Sequence, residues 1–385
     1  MSDQDMTTSA KNHFEGACID TGVSSRERTS WLIARRAGIG GSDAATIMGA
    51  NPFSSELALY VDKTSDDPQP KDDAGEPAQW GNIFEPAIIR EYNARSKRRV
   101  VTGGRILQSR KAPHYLVTLD GVQLRRAPAF ARGKGPGVAE IKTTGYGERY
   151  EEDIPVEVQI QCQWEMFVTG AAWATCVWLP FPERKLQWRD IEPHPEFQAL
   201  LAERVDAFWQ RVVKRNPPDP DGSAASKLAI RRMFPEDNGE VIRLLGAVDA
   251  ADEYERCAAA IKLLQSRQAE IKNMLAYTIG EAKYAVLDDG RYFGSATYKA
   301  REVKCPECDH LLSQREGYRT HTLRKPKKKP FQVFDGERML QMPPANDDLL
   351  EQLEASNNYL DPKLLAKDIQ SANETAAEIK TGTES

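Results

Sequence analysis

VTLDGVQLRRAPAFARGKGPGVAEIKTTG, residues 117–145, sets a lone Asp-Gly ahead of a Glu-Ile-Lys, with a basic stretch between them. Asp120 closes a short β-rich run (Tyr115, Leu116, Val117, Leu119), and Glu140 and Lys142 sit two apart in a second run, Val138 to Thr144. Residues i and i+2 of a strand point to one face, so Glu140 and Lys142 project together while Ile141 turns into a core. An Asp and a Glu from adjacent strands can hold a hard divalent cation through oxygen, and the Lys places an ammonium beside the attacking water. That set of groups suits metal-assisted phosphodiester hydrolysis.

Outward from this stretch, the sequence predicts an α+β order. Trp80, Ile83, Phe84, Ala87, Ile88 and Tyr92 have the spacing of a helix with one buried stripe, and Glu85 lies at the edge of that stripe. Strands are predicted over 99–102, 106–107, 115–119 and 138–142. A helix from about Pro155 to Thr169, strands over 174–179 and 186–189, and an amphipathic helix over 195–213 follow. Helices flanking a small mixed sheet is the architecture this order implies. Upstream, Ser42 or Asp43 can cap a short helix behind Trp31.

The chain has 385 residues, more than one typical domain. The reading divides it into a disordered leader (1–25), a catalytic domain (26–215), a linker (216–225), a helical and β accessory region (226–345) and a polar tail (346–385). The linker signal is Asn216-Pro-Pro-Asp-Pro-Asp-Gly-Ser. Beyond it, Cys257, Ile261, Leu264, Gln268, Ile271 and Leu275 mark a long helix with near-heptad spacing. No stretch approaches the roughly 18 apolar residues of a membrane span, and the polar start lacks the layout of a secretion signal; the expectation is a cytoplasmic protein. Its net charge of −5 argues against a generic nucleic-acid coat. The basic residues are nonetheless clustered, with Arg125, Arg126, Arg132 and Lys134 all between Asp120 and Glu140. Cys305-Pro-Glu-Cys308 is a C-x-x-C, but His310 and His321 do not complete a standard zinc spacing, so a zinc site and a turn with two thiols stay open.

Four motifs occur in order: WGNIFEP (80–86), TLDG (118–121), EIK (140–142) and PVEVQIQCQWEMFVTG (155–170). Together they resemble the YqaJ-like viral recombinase family, to which lambda exonuclease belongs, within the PD-(D/E)xK nuclease superfamily with its restriction-endonuclease-like core. The resemblance implies that Asp120, Glu140, the Ile141 backbone carbonyl and Glu85 hold catalytic Mg²⁺ (or Mn²⁺) and that Lys142 serves the attacking water. Gln161 and Gln163 match the family's Gln-x-Gln, one of them near the scissile phosphate. Trp31-Leu-Ile-Ala-Arg35 and the Gly-Gly-Ser42 after it match a segment that binds a 5′-phosphate, with Thr118 as a further hydroxyl. Val158 departs from the family, whose members often have Tyr there.

The activity implied is 5′-to-3′ digestion of one strand of linear double-stranded DNA, leaving 3′ overhangs for phage-type recombination. A ring-shaped homotrimer and a single-strand annealing partner are further expectations from the resemblance. Arg125 and Arg126 are expected to touch the DNA backbone. The rival readings are a PD-(D/E)xK endonuclease or repair nuclease and a noncatalytic DNA-end scaffold. Retention of Asp120, Glu140 and Lys142 together speaks against the scaffold, since a carboxylate pair repels phosphate.

Overall fold

A computed structural model describes residues 13–67, 75–144, 154–181, 185–304, 307–308 and 310–324. The chain divides into two units, Met1–Glu240 and Val241–Ser385.

The first unit is built on a five-stranded mixed sheet of order β2-β5-β6-β7-β8 (Arg99–Thr102, Gly121–Arg125, Gly137–Thr144, Ala174–Pro180 and Gln187–Ile191). Only β6 and β7 run parallel. A parallel pair needs a crossover, and helix α5 (Val156–Thr169) supplies it. This helix is buried on nearly every side, and Trp164 at its middle donates its indole N–H to the carbonyls of Ile39 and Leu116. It ends at Gly170, whose φ of 72° is left-handed. One sheet face packs against α5 in the main core, which Leu201, Val205 and Phe208 of α6 (Pro195–Val213) complete. On the other face, Ile88, Ile89 and Tyr92 of α4 (Gly75–Ser96) cover Val100, Ala139, Ile141 and Val177. Ile141 is therefore turned into a core, and α+β describes the unit.

A second sheet, β1-β3-β4 (Cys18–Ser24, Arg105–Ser109, Leu116–Thr118), is antiparallel. Its first strand corrects the leader read as disordered to residue 25. Only Cys18 of β1 is buried, so the segment has no apolar alternation; backbone pairing from Cys18↔Ser109 to Ser24↔Arg105 makes it a strand. Strand β5 also went unread within the basic stretch. Helices α1 (Arg28–Arg35), α2 (Gly41–Ile47) and α3 (Glu56–Lys63) precede the main sheet. Helix α7 (Ala224–Met233) follows the Pro-rich linker in sequence, yet it packs on α3, with Ser226 Oγ donating to Ser55 Oγ at 2.9 Å. The accessory region thus separates from the first unit after Glu240, later than residue 226.

The second unit holds α8 (Val248–Ile279), a three-stranded antiparallel sheet of order β13-β10-β9 (Tyr318–Arg324, Tyr292–Tyr298, Tyr284–Val286) and the hairpin β11-β12 (Arg301–Lys304, Leu311–Arg315). The heptad-spaced face of α8 stays open, with Ile261 55% and Leu264 44% exposed. Cys305, the Lys325–Lys329 run and the tail lie outside the described residues. Among the described residues no helix is long and apolar enough to cross a membrane.

Candidate active site

Asp120 immediately precedes β5, whose Gly121 stands opposite Ala139 of β6. That register brings the Asp120 carboxylate to the Ile141 backbone N–H, which donates to Oδ2 at 2.8 Å. One residue to either side along β6, Glu140 and Lys142 point to the opposite face and form an ion pair. Glu140 is 1% exposed, and its Oε2 has no hydrogen-bond partner. From α5, Gln161 Oε1 accepts from Lys142 Nζ at 3.3 Å, and Gln161 Nε2 donates to Glu165 Oε1 at 3.2 Å. Glu165 is equally buried, and its second oxygen is also without a partner. The chain Glu140–Lys142–Gln161–Glu165 thus ends in an unsatisfied carboxylate oxygen at each end, a costly arrangement for a buried group.

Electrostatics sharpen the point. Burial, then the charge of Glu140, pushes Glu85 from 4.5 up to about 7 against the pull of Lys142. Burial and the charges of Glu140 and Glu85 raise Asp120 well above the usual carboxylate range, and burial with Glu140 and Asp120 does the same to Glu165. Among the described residues four acids share one ammonium. The donor set, hard oxygens in excess of their counter-charge with an orphaned Glu140 Oε2, fits a divalent cation. As they stand, no three His, Cys, Asp or Glu side chains converge tightly enough to enclose one among the described residues. Lys142 occupies the Glu140 carboxylate instead.

A second cluster lies on the GIGGSD segment, residues 38–43. Ile39 docks beside β4, its N–H donating to His114 O and its carbonyl accepting from Leu116 N. The approach is so close that a Cβ on Gly38 would lie 2.5 Å from His114 O. Gly41 is equally confined, since its Cβ would stand 2.7 Å from Cγ of Gln161. The docked segment presents Ser42 to Arg35, whose Nη2 donates to Ser42 Oγ at 3.0 Å and to Asp43 Oδ1 at 2.9 Å. Arg35 also lies over the ring of Trp31, 4.6 Å from its centroid, and Trp31 Nε1 donates to Thr118 Oγ1 at 3.1 Å. Asp43 is gripped on its other oxygen by the buried ammonium of Lys63 at 2.7 Å. Burial works against its charge, but Lys63 and Arg35 prevail and hold its carboxyl below the usual range.

Residues 30–172, which carry both clusters, match the family model described as YqaJ-like viral recombinase domain. The segment is similar to YqaJ-like viral recombinase domains. The chain is 28% identical over 271 residues to uncharacterized protein YqaJ of Bacillus subtilis (strain 168), covering 69% of this chain and 82% of that protein. Among solved structures, an alkaline exonuclease (LHK-Exo) from Laribacter hongkongensis matches at 17% identity and a TM-score of 0.40, over 53% of this chain and 97% of that one. A phage related exonuclease from Haemophilus somnus 129PT matches at 14% identity and a TM-score of 0.34, over 51% and 96%.

Within the matched segment the structure brings together Glu85, Asp120, Glu140, Lys142 and Gln161, and separately Arg35, Ser42 and Thr118. It removes Gln163 from the catalytic group. Residues two apart on a helix face away from each other, and Gln163 instead binds Glu192 O, His194 N and Gln198, tying α5 to the start of α6. Gln159 turns back to Ile154 O. Arg126, six residues or about 20 Å of strand beyond Asp120, lies in an exposed loop with a φ of 58°; the Arg125 side chain lies outside the described residues. Sequence reasoning passed over Glu165 and the Asp43–Lys63 pair. The signal for Glu165 was present: it is the lone acid in the apolar core of α5, four residues after Gln161.

Proposed function

We propose that the chain is a metal-dependent exonuclease that digests one strand of linear double-stranded DNA in the 5′-to-3′ direction and leaves 3′ single-stranded overhangs for recombination by strand annealing. The observation that carries this reading is the buried excess of carboxylates around Lys142, with Glu140 Oε2 unsatisfied. Asp120, Glu140, the Ile141 carbonyl and Glu85 would hold Mg²⁺ or Mn²⁺, which when bound supplies a Lewis acid for the phosphodiester and lowers the pKa of water.

The residues themselves divide the remaining work. Lys142, paired with Glu140 in the structure, would bring its ammonium to the attacking water and to the charge that develops on the phosphoryl oxygens. Gln161 holds the Lys142 amine by its carbonyl, and Glu165 fixes the Gln161 amide by its other end. Arg35 and Ser42, with Thr118 next to Trp31, supply a guanidinium and hydroxyls suited to a terminal 5′-phosphate. Asp43 restrains Arg35 and keeps the guanidinium oriented. The viral recombinase family matched by residues 30–172 agrees with a role in DNA recombination. A homotrimer, a single-strand annealing partner and a cytoplasmic site of action belong to the same proposal.

The test is digestion of linear duplex carrying a 5′-phosphate or a 5′-hydroxyl, labelled separately at each end, with Mg²⁺ or EDTA. The expected result is Mg²⁺-dependent release of the 5′ label, faster from the phosphorylated end and absent in Lys142→Ala. Cutting of closed circles would overturn the exonuclease reading in favour of an endonuclease, and binding without cleavage in either metal would overturn catalysis altogether.

A further inference from the structure

The small sheet of the second unit has one closed face and one open face. On the closed face Phe293 is 2% exposed and stacks on His321, and Arg319 donates to the carbonyls of Gly280 and Ala282 just past the end of α8. Directly opposed residues of an antiparallel pair share a face. The register Tyr298↔Tyr318, Ala296↔Thr320, Gly294↔Thr322 and Gly294↔Tyr284 therefore puts four aromatic rings, counting Tyr292, on the other side.

These rings are arranged in two pairs. Tyr298 and Tyr318 stack with centroids 4.8 Å apart, 42% and 47% exposed, and the guanidinium of Arg315 lies within 5.8 Å of both. Tyr284, 38% exposed, meets the buried Tyr292 edge-on, with Lys283 over its ring. Between the pairs the strand carries only Gly294, buried against the Tyr284 and Tyr292 rings, and the exposed Ala296; Ala296 lines a cavity of about 710 Å³ with Tyr284, Glu281, Lys283 and Arg324. Four residues of strand separate Gly294 from Tyr298, about 14 Å. A cross-strand tyrosine pair by itself stabilises a sheet modestly; a stacked pair left nearly half open to water, with Tyr284 and a small exposed Ala296 beside it, does more than that requires.

Charge says what fits. The segment Gly280–Arg324 is nearly balanced, eight Lys and Arg against seven Asp and Glu, but the cations that lie at the rings are Lys283 and Arg315. Flat rings with cations at their edges bind unpaired bases by stacking while the cations track phosphates, and a duplex offers no free base face to such a surface. We propose that this open sheet face is a binding platform for single-stranded DNA, with Tyr284, Tyr298 and Tyr318 as stacking residues and Lys283, Arg315 and Arg324 as phosphate contacts. The proposed exonuclease explains why a single strand is at hand, and the platform would retain the strand that digestion leaves.

The experiment uses the full chain in EDTA, so that binding is read whether or not the protein cuts. Fluorescence anisotropy is measured with a labelled oligothymidine and with a duplex of the same length. Tyr298→Ala/Tyr318→Ala is expected to weaken oligothymidine binding about tenfold or more, and Tyr298→Phe/Tyr318→Phe to retain it. Ala296→Leu, which fills the cavity without removing a ring, is expected to weaken it as well. Wild-type affinity in both the alanine pair and Ala296→Leu overturns the platform. An equal loss for duplex in these variants overturns its assignment to single strands.

Discussion

Two buried Lys–carboxylate clusters lie in the first unit, and they are balanced differently. At Asp43 each oxygen has a cation, Lys63 on one side and Arg35 on the other, and the carboxyl is held below its usual range. Around Lys142, among the described residues, four carboxylates face one ammonium, and three of them are pushed upward by burial and by one another. A buried charge network is stable when its members are paired and strained when they are not. The matched cluster therefore reads as scaffold for the guanidinium above it, and the mismatched one as a site short of positive charge.

Breaking the matched cluster is expected to have the largest effect on folding. Lys63→Ala strands a buried Asp43 and should cost about 3–5 kcal/mol, read as a lowered urea midpoint; a loss no greater than for an exposed lysine would deny the distinction. On the mismatched side, Lys142→Ala should lower the rate of DNA digestion by about 10²–10³-fold, the scale for losing one group that stabilises developing charge, measured in steady state with Mg²⁺. The same contrast predicts opposite signs for carboxylate removal in EDTA. Glu165→Gln should raise apo stability by about 1 kcal/mol, the worth of roughly one pKa unit, while Asp43→Asn should lower it.

The smallest effect is a pH dependence. Glu85 binds its proton more tightly folded, at about 7, than its ordinary 4.5. The folded state thus carries the extra proton between these values, and this group's contribution to apo stability falls as pH rises from about 4.5 through 7. Thermal melts in EDTA should show that decline, Glu85→Gln should flatten it, and a wild-type slope in the variant would detach Glu85 from the cluster.

The elements legible in the sequence were those with a period or a cap. Strand β6 and helices α5 and α6 were expected within a residue or two of their observed bounds, because apolar spacing reports a buried face directly. The same rule failed for Trp80 and Ile83, which are 49% and 62% exposed although they continue the stripe of Ile88 and Tyr92; α4 extends past the sheet it covers. Strands β1 and β5 carry no such signal. Basic and polar residues hid them, and pairing with a neighbouring strand defined them.

The order Asp120, Glu140, Lys142 and the same-face projection of the last two follow from local geometry, since a strand alternates whatever surrounds it. Residue types also sufficed to name the chemistry they suit. What required the tertiary structure was every relation across elements: that Gln161 and not Gln163 meets Lys142, that Glu165 joins the cluster, that Arg126 is carried far from Asp120, and that Asp43 finds Lys63. Those relations depend on how α5, α3 and β5 are rotated and registered against β6, and rotation and register are decided by burial shared among distant segments, which no local stretch of sequence contains.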